Sequence, residues 1–184
     1  GNDDVWLIKT DLAGNEVWNQ TFGGSDADGG FSVQQTTDGG YIITGFTSSY
    51  GNGNRDVWLI KTDSNGDSLW TKTFGGDSPD YGYSIEQTTD GGYIITGVYN
   101  HEEDNDDSDI WLIKTDSNGN KEWKRRFGDG DNDKGYGVQQ TTDGGYIMIG
   151  NYNLVKTDSE GNEEWIKNIG GRSVQQTTDG GYII

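Results

Sequence analysis

Asp90-Gly91-Gly92-Tyr93-Ile94-Ile95-Thr96-Gly97 decides the fold, because the chain keeps returning to it. Asp38 to Gly45 repeats it letter for letter, Asp143 to Gly150 carries Met148 and Ile149 within it, and Asp179 to Ile184 gives its opening again. A second phrase alternates with the first: Val5-Trp6-Leu7-Ile8-Lys9-Thr10-Asp11, then Val57 to Asp63, then Ile110 to Asp116, with a worn copy at Leu154 to Asp158. The Lys-Thr-Asp triplets begin at 9, 61, 114 and 156, which are spacings of 52, 53 and 42. Near-constant spacing in this range is the mark of a repeat architecture.

Each repeat reads as four short β segments. In the clearest one, residues 83–88 form a first strand, and Asp90-Gly91-Gly92 is a tight turn whose glycines supply positive φ. A β-branched and aromatic strand follows at 93–99, then a variable loop, a third strand at 109–115, an Asp-Ser-Asn-Gly turn and a fourth strand at 120–127. Ile110-Trp111-Leu112-Ile113 is apolar on both faces, so both faces of that strand are covered. Four-stranded antiparallel sheets stacked face to face do this, and the expectation is an all-β protein, a β-propeller of four-stranded antiparallel blades. The first strand of each repeat is more polar (Val33-Gln34-Gln35-Thr36), as a strand lining a wet channel would be.

Strand counting predicts a single propeller domain over 1–184, with a half-blade at 4–22, blades at 31–74, 83–127 and 136–169, and a half-blade at 172–184. The two halves complement each other, so the expected architecture is four blades closed by pairing the N-terminal and C-terminal half-blades, which removes exposed edges. Two rivals stand beside it: an open piece of a longer propeller, and two chains that share split blades. The last full repeat is degenerate, with Asn153 standing where Trp6, Trp58 and Trp111 stand.

Composition bounds the partners. Only 29% of residues are hydrophobic, yet seven Trp, ten Tyr and five Phe recur at fixed places between turns, which favours a folded array over disorder. With 31 acidic against 13 basic residues the net charge is -18, and nucleic acid and anionic membranes are excluded as expected partners. No apolar run of ~18 residues is present to span a bilayer, and without cysteine there is no disulfide, thiolate nucleophile or Cys metal site.

The order Phe-Gly-Gly, acidic loop, Gly-Tyr-Ser-Ile, Asp-Gly-Gly-Tyr-Ile-Ile-Thr-Gly, Thr-Ser-Ser, Asp-Val-Trp-Leu-Ile-Lys-Thr-Asp resembles the secreted β-propeller repeat of bacteria and archaea (the SBBP type), and its strand order is similar to kelch repeats. The resemblance covers residues 4–184. It implies an extracellular or cell-surface protein without a catalytic assignment, and it transfers no catalytic residue.

Asp28, Asp80 and Asp133 each stand two residues before a glycine in the loop between repeats, and Asp129 and Asp131 lie close by. Carboxylates packed into a turn are what a hard cation requires, so these five are the candidate metal ligands and calcium the candidate ion. The reading preferred over it is that each Asp caps its own turn. The acidic run His101 to Asp109 reads as a solvated loop, with a weak cation site as its alternative. Asp11, Asp63, Asp116 and Asp158 open hairpin turns, and Lys9, Lys61, Lys114 and Lys156 are expected to pair with carboxylates. Near-identical repeats leave few singular residues for acid–base work, so no enzyme is expected. The expected role is a structural or adhesive scaffold that binds protein or glycan. Beside it stand a self-assembling unit, a homo-oligomer joined through shared blades, and a cation-dependent glycan-active enzyme.

Overall fold

The computed structural model describes residues 2–100, 108–128 and 132–184. Among these there are sixteen strands and no helix. β1 (Val5–Thr10) and β2 (Glu16–Phe22) form a two-stranded sheet. β3 (Asp28–Gln35), β4 (Tyr41–Thr47), β5 (Asp56–Thr62) and β6 (Ser68–Phe74) form the first four-stranded sheet. β7 (Tyr81–Gln87), β8 (Tyr93–Asn100), β9 (Ser108–Thr115) and β10 (Lys121–Phe127) form the second. β11 (Gly135–Gln140), β12 (Tyr146–Gly150), β13 (Leu154–Thr157) and β14 (Glu163–Lys167) form the third. β15 (Gln175–Gln176) and β16 (Tyr182–Ile183) end the chain as a second two-stranded sheet. Every ladder is antiparallel and joins neighbours in sequence.

The expected pairing of the two half-blades is not formed here. β1–β2 packs through Val5 and Leu7 on Ile43, Trp58 and Ile60 of the first full sheet. β15–β16 packs through Val174 and Tyr182 on Ile147, Ile149 and Leu154 of the third. Apolar clusters thus join the five sheets in chain order, and each half-sheet is held by the neighbour it packs on.

Within a sheet, the two repeated phrases meet. The Asp38 carboxylate accepts from Thr36 Oγ1 at 2.5 Å and from the Gly40 amide at 2.9 Å, and its other oxygen lies 2.8 Å from Lys61 Nζ. Lys61 is only 3% exposed and donates again to the Thr62 carbonyl at 2.8 Å. Lys114–Asp90 and Lys156–Asp143 repeat the pair at 2.9 Å each. Both glycines of the turn are required. Gly39 has φ +84°, and a Cβ on Gly40 would overlap the Thr62 carbonyl oxygen.

Between sheets the described residues form no ladder beyond single backbone bonds and one isolated bridge, Ser108 to Asn132, and side chains do most of the joining. Gln34 Oε1 accepts from the Gln87 amide at 2.6 Å, and Gln87 Oε1 accepts in return from the Thr37 amide at 2.9 Å. Glu86 and Gln140 repeat this between the second and third sheets, and Gln139 and Gln176 between the third and the last. The polar first strand is therefore polar because its glutamines bind the adjacent strand. Trp18, Trp70, Trp123 and Trp165 each meet edge-on the tyrosine of the next Asp-Gly-Gly-Tyr, at centroid distances of 5.6, 6.0, 5.7 and 5.9 Å.

The clamp makes a pH prediction. The Lys61 and Thr36 hydrogen bonds lower the Asp38 pKa to about 2, and those from Thr141 and Lys156 do the same for Asp143. Such depressed groups stabilise the fold above their ordinary value of 3.8, and that contribution is lost as pH falls through about 2. Lys156 also has Glu164 at 3.0 Å, whereas the corresponding place beside Lys61 is Leu69. Asp38→Ala should therefore cost about 3 kcal/mol at pH 7, as for a stranded buried charge, and Asp143→Ala about 1–2. Urea midpoints at pH 7 check this; equal costs would mean that the second carboxylate is irrelevant.

Glu86 is the one acid among the zipper glutamines. Burial raises its pKa against the opposing hydrogen bond from the Gln140 amide. A raised acid stabilises below its ordinary 4.5, and the contribution is lost as pH climbs through the folded value. Glu86→Gln should raise stability at pH 7 by about 0.5–2 kcal/mol and leave it little changed near pH 4. Thermal melts at the two pH values measure this, and a gain of the same size at both would remove ionisation as the cause.

Candidate functional site

The structure separates the expected metal ligands. Asp28, Asp80 and Asp133 are all buried, at 1%, 0% and 0% exposure, and each occupies a different junction between sheets. Each anchors its loop through its own amide, which donates at 2.7 Å to the carbonyls of Asp3, Arg55 and Ser108 respectively. Asp129, Asp131 and residues 101–107 lie outside the described residues. Among the described residues, no group of three or more His, Asp or Glu side chains converges in a way that would hold a metal ion.

The aspartates differ in what they accept. Burial pushes the Asp28 carboxyl up, but hydrogen bonds from Thr47 and Ser49, with the Gly24 amide at 2.9 Å, outweigh it and the pKa is lowered. This is the capping arrangement. At Asp80 the place of Thr47 falls to Tyr99, and the carboxylate has the Asn100 amide at 3.0 Å and the Gly76 amide at 3.2 Å. Burial, with the Asp56 charge nearby, raises its pKa to about 7. Asp133 accepts from Asn153 Nδ2 at 3.1 Å, so the residue that replaces tryptophan in the third sheet serves this junction instead.

Sequence reading missed the second carboxylate at each junction. Asp4 and Asp28 flank Gly23, Asp56 and Asp80 flank Gly75, and Asp109 and Asp133 flank Gly128. A Cβ on Gly75 would overlap Asp56 Oδ1 and lie 3.0 Å from Asp80 Oδ2, which accounts for the glycine after phenylalanine. The turn aspartates are structural, as expected: the Asp63 carboxylate accepts the amides of Asn65 at 2.8 Å and Asp67 at 3.0 Å, and Asp11, Asp116 and Asp158 repeat the motif. Lys9 departs from its equivalents and donates to the Tyr41 hydroxyl at 2.9 Å. Trp58 and Trp111 are core residues, whereas Trp6 is 63% exposed.

A larger feature crosses the first strands. The β3–β4 register shifts between Gly30 and Ser32, the β7–β8 register between Gly82 and Ser84, and the β11–β12 register between Gly135 and Gly137. The skipped residues are Phe31, Tyr83 and Tyr136. A bulge re-aims its extra side chain, and here it sets one aromatic ring on each sheet. Phe31 lies 5.1 Å from Tyr83, and Tyr83 lies 5.6 Å from Tyr136. Phe46 and Tyr81 widen the row, with Tyr81 stacked on Tyr83 at 6.0 Å and 2°. Each end carries a guanidinium: Arg55 sits 4.7 Å over Phe46 and donates to the Tyr81 hydroxyl at 2.7 Å, and Arg172 sits 4.1 Å over Tyr136. The lane thus offers ring faces between two fixed cations, in a chain of net charge -18. An aromatic residue directly after glycine at 31, 83 and 136 is its only trace in the sequence.

No family model matches the chain, and no curated protein does. Solved structures do match. One is a protein of unknown function from Bacteroides caccae, with TM-score 0.62 and 11% identity over 95% of this chain and 62% of that one. Another is the extracellular domain of a protein named as a one-component system from B. thetaiotaomicron, with TM-score 0.53 and 13% identity over 93% of this chain and 22% of that one. The chain thus spans less than two thirds of either, and at these identities the likeness is one of fold alone.

Proposed function

We propose that the chain is a non-catalytic, extracellular β-propeller module of the secreted-repeat type, whose task is to bind glycan or protein through the aromatic lane. The observation that carries this reading is the recurrence of one aromatic position on three successive sheets, exposed Phe31 and half-buried Tyr83 and Tyr136, bracketed by Arg55 and Arg172. A repeated position suits a repeated ligand, whereas catalysis needs a group with a singular partner. Sugar rings and apolar side chains stack on aromatic faces, and guanidinium pairs with carboxylate or sulfate. An extracellular domain among the structural neighbours supports the location, and no described helix is long and apolar enough to cross a membrane.

The test is an array of neutral and acidic polysaccharides (starch, xylan, pectin, chondroitin sulfate) with reducing ends assayed in parallel. Binding without release of reducing ends is expected, and Arg55→Ala with Arg172→Ala should weaken acidic binders by about tenfold or more, one lost charged hydrogen bond being worth roughly 1.5–3 kcal/mol. Retention of full binding by the double variant would move the ligand off the lane.

A second reading, self-assembly, is favoured by the edges of β1 and β16. In the full sheets the Asp-Gly-Gly aspartate faces the lysine two strands along; here Asp179 keeps Thr177 and Lys9 keeps Tyr41. Setting β16 beside β1 in the register of β4 on β5 puts Ile183 opposite Lys9 and brings Asp179 to its ammonium. Such pairing closes a four-blade ring within one chain or links successive chains. Light scattering distinguishes the two, with a 20.2 kDa mass for closure and multiples of it for linkage. Lys9→Glu should reduce the mass of linked forms, and Lys9→Glu combined with Asp179→Lys should restore it; failure of that rescue rejects the edge.

A further inference from the structure

The two ends of the sheet array carry the unmated halves of one junction. Where sheets meet, an aliphatic residue of a first strand shares a buried cluster with the isoleucine after tyrosine in the preceding sheet. These pairs are Ile85 with Ile42, Val138 with Ile94 and Val174 with Ile147. None of these residues is more than 8% exposed. The same first-strand place in β3 is Val33, which is 54% exposed, and the same second-strand place in β16 is Ile183, which is 61% exposed.

Hydrogen-bonding groups are left over in the same pattern. At the zipped junctions the side-chain oxygen of Gln34, Glu86 or Gln139 accepts from the amide of a glutamine on the next sheet, whose Oε1 accepts in return from Thr37, Thr89 or Thr142. On β3 the second of these glutamines is Gln35. Its Nε2 donates to the Gly39 carbonyl as its equivalents do, but it is exposed and its Oε1 accepts nothing among the described residues. On the last half-sheet the Gln175 side chain and the Thr178 amide are likewise exposed and form no bond among the described residues. A groove of about 370 Å³ opens beside Val33, lined by Val5, Trp6, Phe31 and Val33 together with Asp3 and Asp4. Arg172 supplies the complementary charge. It stands at the place of Phe31, Tyr83 and Tyr136, whose rings meet across junctions at 5.1 and 5.6 Å, so one more junction of this kind sets its guanidinium beside Phe31.

We propose that β3 and its groove are the docking surface for the β15–β16 half-sheet of a second copy of this chain, with Ile183 against Val33, Gln175 Oε1 accepting from the Gln35 amide and Gln35 Oε1 accepting from the Thr178 amide. The proposal rests on the self-assembly reading; it adds a sheet face to the strand edge and chooses linkage over closure. Closure within one chain must change the angle at junctions already formed, because both ends stand open while those bonds are in place. A second copy repeats the existing junction and changes none, which is the rigid-body expectation. The contact is head to tail.

Light scattering behind a sizing column reads the mass over a concentration series, with 20.2 kDa for one copy. The mass should rise with concentration. Val33→Lys and Ile183→Lys alter exposed places, so each should keep its thermal melt yet stay at one copy, since docking would bury an unpaired ammonium. Mixed in equal amounts, they should form a species of two copies and no larger one. The intact tail of the first fits the intact head of the second, and the altered ends meet as two lysines. A mixture that stays at one copy, or linkage in the unaltered chain that survives both substitutions, overturns the proposal. Linkage that Lys9→Glu breaks and Val33→Lys does not would sink the face and leave the strand edge standing. A chain that stays at one copy overturns the second copy, and hydrogen exchange of the Gln35 amide then decides the rest. Protection there means closure within the chain, and fast exchange sinks the self-assembly reading as well.

Discussion

The buried lysine of each full sheet is the constraint that the rest of the molecule answers to. Lys61, Lys114 and Lys156 are each 3% exposed, and an ammonium out of water is costly unless it is paired and hydrogen-bonded. Two groups meet that need: the carbonyl of the following threonine and the aspartate of the Asp-Gly-Gly turn two strands away. The aspartate reaches only if its turn is tight, and so the turn takes one glycine at positive φ and a second pressed on the threonine carbonyl. The turn in turn fixes the register of the first two strands, and a slip of β4 by one residue would exchange Ile42 and Ile43, which pack in different inter-sheet clusters. The two phrases that recur through the sequence are the two halves of this one contact.

Stacking of the sheets depends on different physics. Aliphatic residues in the middle strands are almost fully buried on both sides, and at about 25 cal/mol per Å² their burial supplies most of the attraction. That term is non-directional and would tolerate sliding. Direction comes from the reciprocal glutamine bonds along the first strands and from the Trp–Tyr edge contacts beside the turns. Neutral hydrogen bonds are worth about 1 kcal/mol each and aromatic pairs about 0.5–1.5, enough to choose one stacking register without dominating the total.

Much of this was legible because the repeat prints each element several times. Sixteen strands, their order and the turn aspartates follow from residues a few positions apart, and the pairing of Lys61, Lys114 and Lys156 with carboxylates follows from charges that recur at one place in each repeat. What was not legible lies between sheets. Gln34 and Gln87 are over fifty residues apart, and nothing in either indicates that its amide is used on the other strand; their polarity looks like exposure to water. The lane at Phe31, Tyr83 and Tyr136 was hidden for a related reason. A bulge interrupts the alternation from which side-chain direction is read, and strand periodicity assigns those rings to no face. The cation reading of Asp28, Asp80 and Asp133 grouped residues by spacing, whereas space groups each with the aspartate that opens the neighbouring β5-type strand.

Departures from the repeat carry more information about function than the repeat itself. Each copy of a motif that serves the fold is expected to satisfy most of its own buried groups, so the substitutions that change a partner are the ones to follow. Asn153 in place of tryptophan is compensated, since its amide goes to Asp133. Leu69 in place of an acid leaves Lys61 with a pair that is still complete. Arg172 in place of an aromatic caps the lane. Thr71 and Lys124 in place of Asn19 are different, because the buried indoles of Trp58 and Trp111 then have no acceptor among the described residues. Uncompensated polar groups are rare in stable proteins. The Thr44 and Thr96 hydroxyls, at one place in the same two sheets, are left likewise, so the repeat itself carries unpaired groups into its core.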